Sequence, residues 1–278
     1  KLKMQNKKIA EILLIAKQKL MNHGIKSWNL DSELIVSHVL NLSRLELITK
    51  DEDFVTKEQQ NLIDELISRR ISDEPLAYLL NKKEFYGRDF YVDNSVLIPR
   101  IETESIIFNL PQDNRPKKVL DIGTGSGCIA ITIKLEKPDY IVDALDISEN
   151  ALKTAELNAK KLNANVHFFH SNLLSNVKDK YDLIIANLPY VDDSWNIDLN
   201  ALSYEPSSAL FAKREGLDLI YKLLDEVDKI ANQNALLYLE SDETQIPKII
   251  EYTKNKKSIR FIKADGLISI FRINSILN

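Results

Sequence analysis

Apolar residues recur at helical spacing in the first quarter of the chain: Ile9, Ile12, Leu13, Ala16 and Leu20, then Leu34, Ile35, Val39 and Leu42. Residues three and four apart share one helix face, so each set predicts a helix with one buried stripe. Thr56 followed by Gln59 is a capping-box pair that announces a third helix, striped by Leu62, Ile63, Leu66 and Ile67. Residues 1–75 read as a small helical bundle. Next come "EPLAYLL" and "KEFYGRDFYV". The second is aromatic-rich around one glycine and predicts a short β-hairpin, so residues 76–100 read as a linker carrying it.

From Lys117 the pattern changes to short, mainly apolar runs: Val119 to Ile122, Ile141 to Leu145, Val166 to Phe169, Leu183 to Ala186 and Ala235 to Leu239. Runs without a polar face indicate parallel strands covered on both sides, and the helical stretches between them supply the crossovers. Residues 101–278 therefore predict a doubly wound α/β sheet. The end differs, because "SIRFIK", "ADG" and "LISIFRI" form a glycine-containing hairpin that predicts an antiparallel strand on the same sheet.

Composition narrows the class. The chain has 278 residues, 44% hydrophobic and 28% charged, enough for one large domain or two smaller ones. No apolar run approaches the ~20 residues of a membrane helix, and the Lys-rich start lacks the apolar segment of a signal peptide, so no membrane partner and a cytoplasmic location are expected. One cysteine forms no internal disulfide, and His23, His38, His167 and His170 lack zinc-ligand spacing, so no metal is expected. A net charge of -4 argues against holding nucleic acid through its phosphates, although a local basic patch stays open. A monomer is expected.

In "VLDIGTGSGCIAI", Gly123, Gly125 and Gly127 fall where the first strand ends and a helix begins. A tight turn alone explains one or two of them. Three of only seven glycines within five positions point to a site where backbone closely approaches a ligand. Cys128 occupies the place of the third glycine in a dinucleotide fingerprint, which suits a ligand without a pyrophosphate. Asp146 ends the second strand, where a carboxylate can accept both ribose hydroxyls of an adenosine group. It could also cap the next helix, but Ser148 fills that role. Asn172 and Leu173, after the third strand, would sit beside the adenine or form an ordinary loop.

Asn187, Leu188, Pro189 and Tyr190 end the fourth strand, which in a doubly wound order faces the glycine loop across the switch-point crevice. A planar NH2 group has a delocalised, weakly nucleophilic lone pair and must be held still. The Asn187 side-chain oxygen and the Leu188 carbonyl can each accept one of its N–H groups. Pro189 adds no competing donor, and Tyr190 offers a flat stacking surface. Such positioning lowers a barrier without a strong base. A plain strand-terminating turn is the alternative.

These residues resemble class I S-adenosylmethionine-dependent methyltransferases whose [Asn/Asp]-x-Pro-[Tyr/Phe] motif marks transfer to an amide or amino nitrogen. With "EPLAYLL", "KEFYGRDFYV", "VLIPRIETE", "YEPSSALF" and "LYLESDETQ", residues 74 onward are similar to the HemK/PrmC family, the protein-(glutamine-N5) methyltransferases of peptide chain release factors. The resemblance implies a seven-stranded Rossmann-like sheet and a helical N-terminal domain that docks the release factor. It implies that Gly123, Thr124, Gly125, Ser126, Gly127 and Asp146 contact S-adenosyl-L-methionine, released as S-adenosyl-L-homocysteine, with Asn172 and Leu173 near the adenine. Asn187 would touch both cofactor and substrate, and Leu188, Pro189 and Tyr190 would complete the glutamine pocket as the catalytic quartet.

There are departures. The family's usual quartet is Asn-Pro-Pro-Tyr, and "NLPY" is also the form in ribosomal RNA adenine dimethyltransferases. Asn172 replaces an acidic residue, and "NQNA" replaces a Gly-Gly turn before the fifth strand. Arg100, Glu102 and Glu104 either line the cofactor side of the cleft, as in the family, or form a solvated cluster. Glu205, Pro206 and Trp195 either shape a substrate lid or are structural. Cys128 reads as a small buried side chain, and Glu240 is given no catalytic role. No general base is evident, so the amide proton is expected to leave to water or to carbonyl acceptors. The rival functions are a ribosomal-protein glutamine methyltransferase, a nucleic-acid adenine or cytosine N-methyltransferase, and a silent S-adenosylmethionine-binding adaptor.

Overall fold

The computed structural model describes residues 7–113, 115–192 and 202–274. The chain divides into two compact units: Lys1–Lys82 with Leu199–Tyr204, and Lys83–Asp198 with Glu205–Asn278. Trp195 lies outside the described residues.

The first unit is helical. Its elements are α1 (Ile9–Asn22), α2 (Trp28–Leu40), α3 (Arg44–Thr49), α4 (Lys57–Ile71) and α5 (Leu76–Leu79). Ile9, Ile12, Ala16, Leu20, Ile35, Val36, Leu47, Ile63, Leu66 and Ile67 pack as one core. The box at α4 forms as the sequence predicts: Gln59 N donates to Thr56 Oγ1 at 3.2 Å and Thr56 N to Gln59 Oε1 at 2.9 Å. The stripe of α4 is rotated from the predicted one. Leu62 is 43% exposed, while Gln60 is buried with its amide donating to Val55 O. Helices α3 and α5 are too short for their period to stand out, although Ser43 and Glu46 form a second capping box at α3.

The second unit opens with a hairpin of β1 (Lys83–Phe85) and β2 (Arg88–Phe90), joined through Tyr86 and Gly87, both at positive φ. Phe85 and Phe90 are buried against the sheet that follows. A 3-10 turn at Glu102–Glu104 leads into α6 (Ser105–Phe108). The strands are β3 (Lys118–Ile122), β4 (Ile141–Asp146), β5 (His167–His170), β6 (Tyr181–Ala186), β7 (Ala231–Glu240), β8 (Ile259–Asp265) and β9 (Ile268–Ile273). Between them run α7 (Cys128–Glu136), α8 (Glu149–Lys161), α9 (Ser207–Leu210), α10 (Asp218–Glu226) and α11 (Ile246–Thr253).

The strands order as β5-β4-β3-β6-β7-β9-β8. Strands β3 to β7 are parallel, and β9 enters antiparallel between β7 and β8, as the terminal hairpin predicts. Alternation sends Leu120, Ile122, Ile184 and Leu237 to one apolar layer and Val119, Val142, Leu183 and Tyr238 to the other. Covering both faces is why the runs lack a polar side. Strand β5 is the exception: it is an edge, and His167 and His170 are exposed. At "NQNA" a bulge shifts the β6–β7 register, with Asn234 at φ +62° doing what a glycine would do. Among the described residues, no helix is long and apolar enough to cross a membrane, and no group of three or more His, Cys, Asp or Glu could hold a metal ion.

Candidate active site

The chain order reverses between β3 and β6, and a cleft opens at their carboxyl ends with about 1050 Å³ of empty space, its open mouth included. Gly123, Thr124, Gly125, Ser126, Asp146, Asn172, Leu173, Asn187, Leu188 and Pro189 all line it. Gly127 and Tyr190 are not among its lining residues.

The three glycines do different work. All have positive φ, +74°, +54° and +80° in order. A Cβ on Gly123 would sit 3.4 Å from Asn187 O, so this residue sets how closely the loop approaches the end of β6. A Cβ on Gly127 would meet Ile131 Cδ1 at 2.9 Å and Ala155 Cβ at 3.1 Å, so Gly127 serves the packing of α7 on α8. A Cβ on Gly125 would meet nothing within 4 Å among the described residues, which leaves its backbone bare toward the cleft.

Asp146 holds this loop. Its Oδ2 accepts from Gly125 N at 2.9 Å and its Oδ1 from Ser148 N at 2.9 Å, leaving acceptor capacity on both oxygens. Burial pushes the carboxyl above its usual range, opposed by the N–H groups of Ser148, Gly125 and Ile147. Ser148 caps α8 by accepting from Ala151 N, as read from the sequence. Leu173, at φ +47°, and Ile147 give the same end of the cleft apolar walls. A bare glycine loop, a carboxylate with free lone pairs and an apolar slot together fit a nucleoside.

Two residues behind the loop escaped the sequence reading. Asn158 on α8 is buried and fully satisfied: its Nδ2 donates to Tyr91 O and Ser126 O at 2.9 Å, and its Oδ1 accepts from Tyr91 N at 2.7 Å. It ties the hairpin's outgoing chain to the glycine loop. Asp121 is buried and accepts from Thr124 Oγ1 at 2.7 Å through Oδ2, while its Oδ1 has no hydrogen bond of ordinary length among the described residues. Burial pushes its carboxyl up to about 7, against the opposing Thr124 hydroxyl and Ala130 N–H. Neither stood out, because an Asn within a helix and an Asp within a strand carry no periodic signal.

At the other end of the cleft, Asn187 Nδ2 donates to Thr103 Oγ1 at 3.5 Å. Leu188 is buried in the apolar core, so its side chain replaces a ring by packing, and its backbone stays at the cleft. Tyr190 is turned toward β7, where its hydroxyl donates to Glu240 Oε1 at 3.5 Å. The Tyr190 carbonyl accepts from Gln245 Nε2 at 2.7 Å, and a Cβ on Gly216 would fall 1.9 Å from that carbonyl, so only glycine fits there. Burial raises the Tyr190 hydroxyl far above its usual range, which keeps it a donor.

The "PRIETE" segment divides. Arg100 and Thr103 line the cleft, Glu104 accepts from Tyr86 N at 2.8 Å and braces the hairpin turn, and Glu102 is exposed. Pro206 lines the cleft, whereas Glu205 is buried beneath it. Cys128 is buried, and burial pushes its thiol up to about 12, which makes it unreactive at neutral pH.

Residues 101–203 match the "Methyltransferase small domain" family and residues 11–80 the "PrmC N-terminal domain" family. A protein named "Release factor glutamine methyltransferase" from Koribacter versatilis is 41% identical over 206 residues, covering 71% of this chain and 73% of that one. Its namesake from Streptococcus pneumoniae is 30% identical over 264 residues, covering 92% and 94%. A "Bifunctional methyltransferase" from Rickettsia prowazekii is 32% identical, covering 87% of this chain and 52% of its own. Among solved structures, a methyltransferase from Pyrococcus furiosus is similar in fold, with TM-score 0.52 at 20% identity over 80% of this chain and all of that one. With both of its regions and nearly its whole length matched, the chain belongs to the HemK/PrmC family of release factor glutamine methyltransferases.

Proposed function

We propose that this enzyme transfers a methyl group from S-adenosyl-L-methionine to the side-chain amide nitrogen, N5, of the glutamine in the Gly-Gly-Gln motif of peptide chain release factors. One observation joins family to chemistry: the amide clamp at Asn187 and the glycine loop line a single cleft, and a Cβ on Gly123 would lie 3.4 Å from Asn187 O.

S-adenosyl-L-methionine supplies an electrophilic methyl group on a sulfonium. Gly123 to Ser126 would follow its backbone-facing side, Asp146 would accept its ribose hydroxyls, and Asn172 and Leu173 would flank the adenine. Asn187 Oδ1 and the Leu188 carbonyl would each accept one N–H of the glutamine amide, orienting its nitrogen in line with the methyl carbon. Pro189 would complete the slot, with Tyr190 turned behind it toward β7. The helical unit would dock the release factor, and the enzyme would act as a monomer in the cytoplasm, without binding nucleic acid directly.

The test is transfer of labelled methyl to a release factor, to its Gln→Ala variant in Gly-Gly-Gln, and to ribosomal RNA. Label on the intact factor alone supports the reading. Label on RNA and none on the factor overturns it in favour of an adenine clamp.

A further inference from the structure

Glu240 ends β7 directly after Leu239, which pairs with Ala186 at the end of β6. It therefore stands beside Asn187, and its side chain is buried, at 1% exposure. Thr103, Asn187 and Tyr190 surround its carboxyl. Tyr190 Oη reaches its Oε1 at 3.5 Å, Thr103 and Asn187 are the other donors beside it, and Oε2 has no hydrogen bond of ordinary length among the described residues. A buried carboxyl with one oxygen still open and two amide or hydroxyl donors from the quartet beside it can set how those donors are turned.

An asparagine amide is nearly symmetric in shape, and which end carries oxygen is decided by what each end meets. An ionised carboxylate offers acceptors alone. Beside it Nδ2 is attracted and Oδ1 repelled, so Oδ1 is presented on the opposite side, and Asn187 lines the cleft. We propose that Glu240 is a positioning residue for methyl transfer: accepting from Asn187 Nδ2 and Tyr190 Oη, it turns Asn187 Oδ1 toward the substrate amide. This rests on the reading of the chain as a protein-glutamine methyltransferase.

Protonation reverses the logic. A neutral Glu240 has an O–H donor that suits Asn187 Oδ1, so the orientation is no longer enforced. Burial pushes the carboxyl up to about 7, opposed by Thr103, Asn187 and Tyr190, with repulsion from Glu102. The other ionisable groups facing this corner are Asp121 and Cys128 behind the glycine loop, and Arg100 and Asp242 around Tyr190.

The experiment follows kcat on a purified release factor between about pH 6 and pH 9, with S-adenosylmethionine affinity measured by calorimetry alongside. For wild type, kcat rises roughly tenfold around pH 7 while the cofactor Kd changes less than about threefold. Glu240→Gln, equal in shape, binds the cofactor normally, loses at least about tenfold in kcat at pH 8 and loses the pH limb. Asn187→Ala combined with Glu240→Gln falls no further than Asn187→Ala alone, because the glutamate acts through the asparagine. A flat wild-type profile overturns the proposal without any substitution, and so does a limb that survives in Glu240→Gln, which would belong to Asp121. A wild type that labels no glutamine at any pH overturns the functional reading itself, and that is read from the wild-type arm alone.

Discussion

Arg100 Nη2 donates to Glu205 Oε1 at 2.6 Å, and the second oxygen of the same carboxylate accepts from Ile98 N at 3.1 Å. The two residues lie 105 positions apart in the chain, so one buried carboxylate clamps the segment entering the cleft to the chain that follows the quartet. Removing it strands a buried N–H and a guanidinium. Glu205→Ala is expected to lower unfolding free energy by about 1–3 kcal/mol in urea titration, with Glu205→Gln less affected because one acceptor remains. Wild-type stability in the alanine variant would show that the clamp carries no weight.

Asp146 shapes the glycine loop and would also accept the ribose. Replacing it with alanine removes acceptors for Gly125 N, Ser148 N and the ligand at once. S-adenosylmethionine affinity should fall by about tenfold to a hundredfold in calorimetry, with Asp146→Asn intermediate.

Gly125 and Gly127 share positive φ and differ in surroundings. An alanine at either costs about 1–2 kcal/mol of backbone strain. At Gly127 the new methyl also collides with Ile131 and Ala155, so Gly127→Ala should melt at a lower temperature than Gly125→Ala. At Gly125 the methyl enters the cleft, so that variant should suffer the larger loss of cofactor affinity relative to its loss of stability. Calorimetric melting and binding on the same two proteins separate these effects, and a reversed order would contradict the assignment.

Asp121 releases its proton at 3.8 when unfolded and near about 7 when folded. Between those values the native state holds the extra proton, so this group's contribution to stability is full below about pH 4 and is lost as pH rises through about 7. Glu240, raised from 4.5 to about 7, acts in the same direction. Asp121→Asn removes one of the two groups. Its urea midpoint should fall less than that of wild type between about pH 5 and pH 8, and an unchanged difference would mean the Asp121 carboxyl is not held neutral.

Much of the fold could be read from apolar periodicity. The runs at Val119, Ile141 and Leu183 are local patterns that any doubly wound sheet must display, because both faces are covered. The same holds for the capping box at Thr56, whose two hydrogen bonds lie within four residues. Periodicity failed where the elements were short, as at α3 and α5, and where a polar residue took a core place, as Gln60 did.

The residue types of the site are written in the chain, because glycines after a strand, an acid ending the next strand and an amide ending the fourth are each required by short-range chemistry. Tertiary structure alone decided how those residues are shared out. It assigned Gly127 to helix packing, turned Tyr190 toward β7, joined Arg100 to Glu205 and set Glu240 behind Asn187. These relationships run between strands and loops far apart in the chain, where the partner of a buried charge is chosen by burial and strand order, and no local pattern records either.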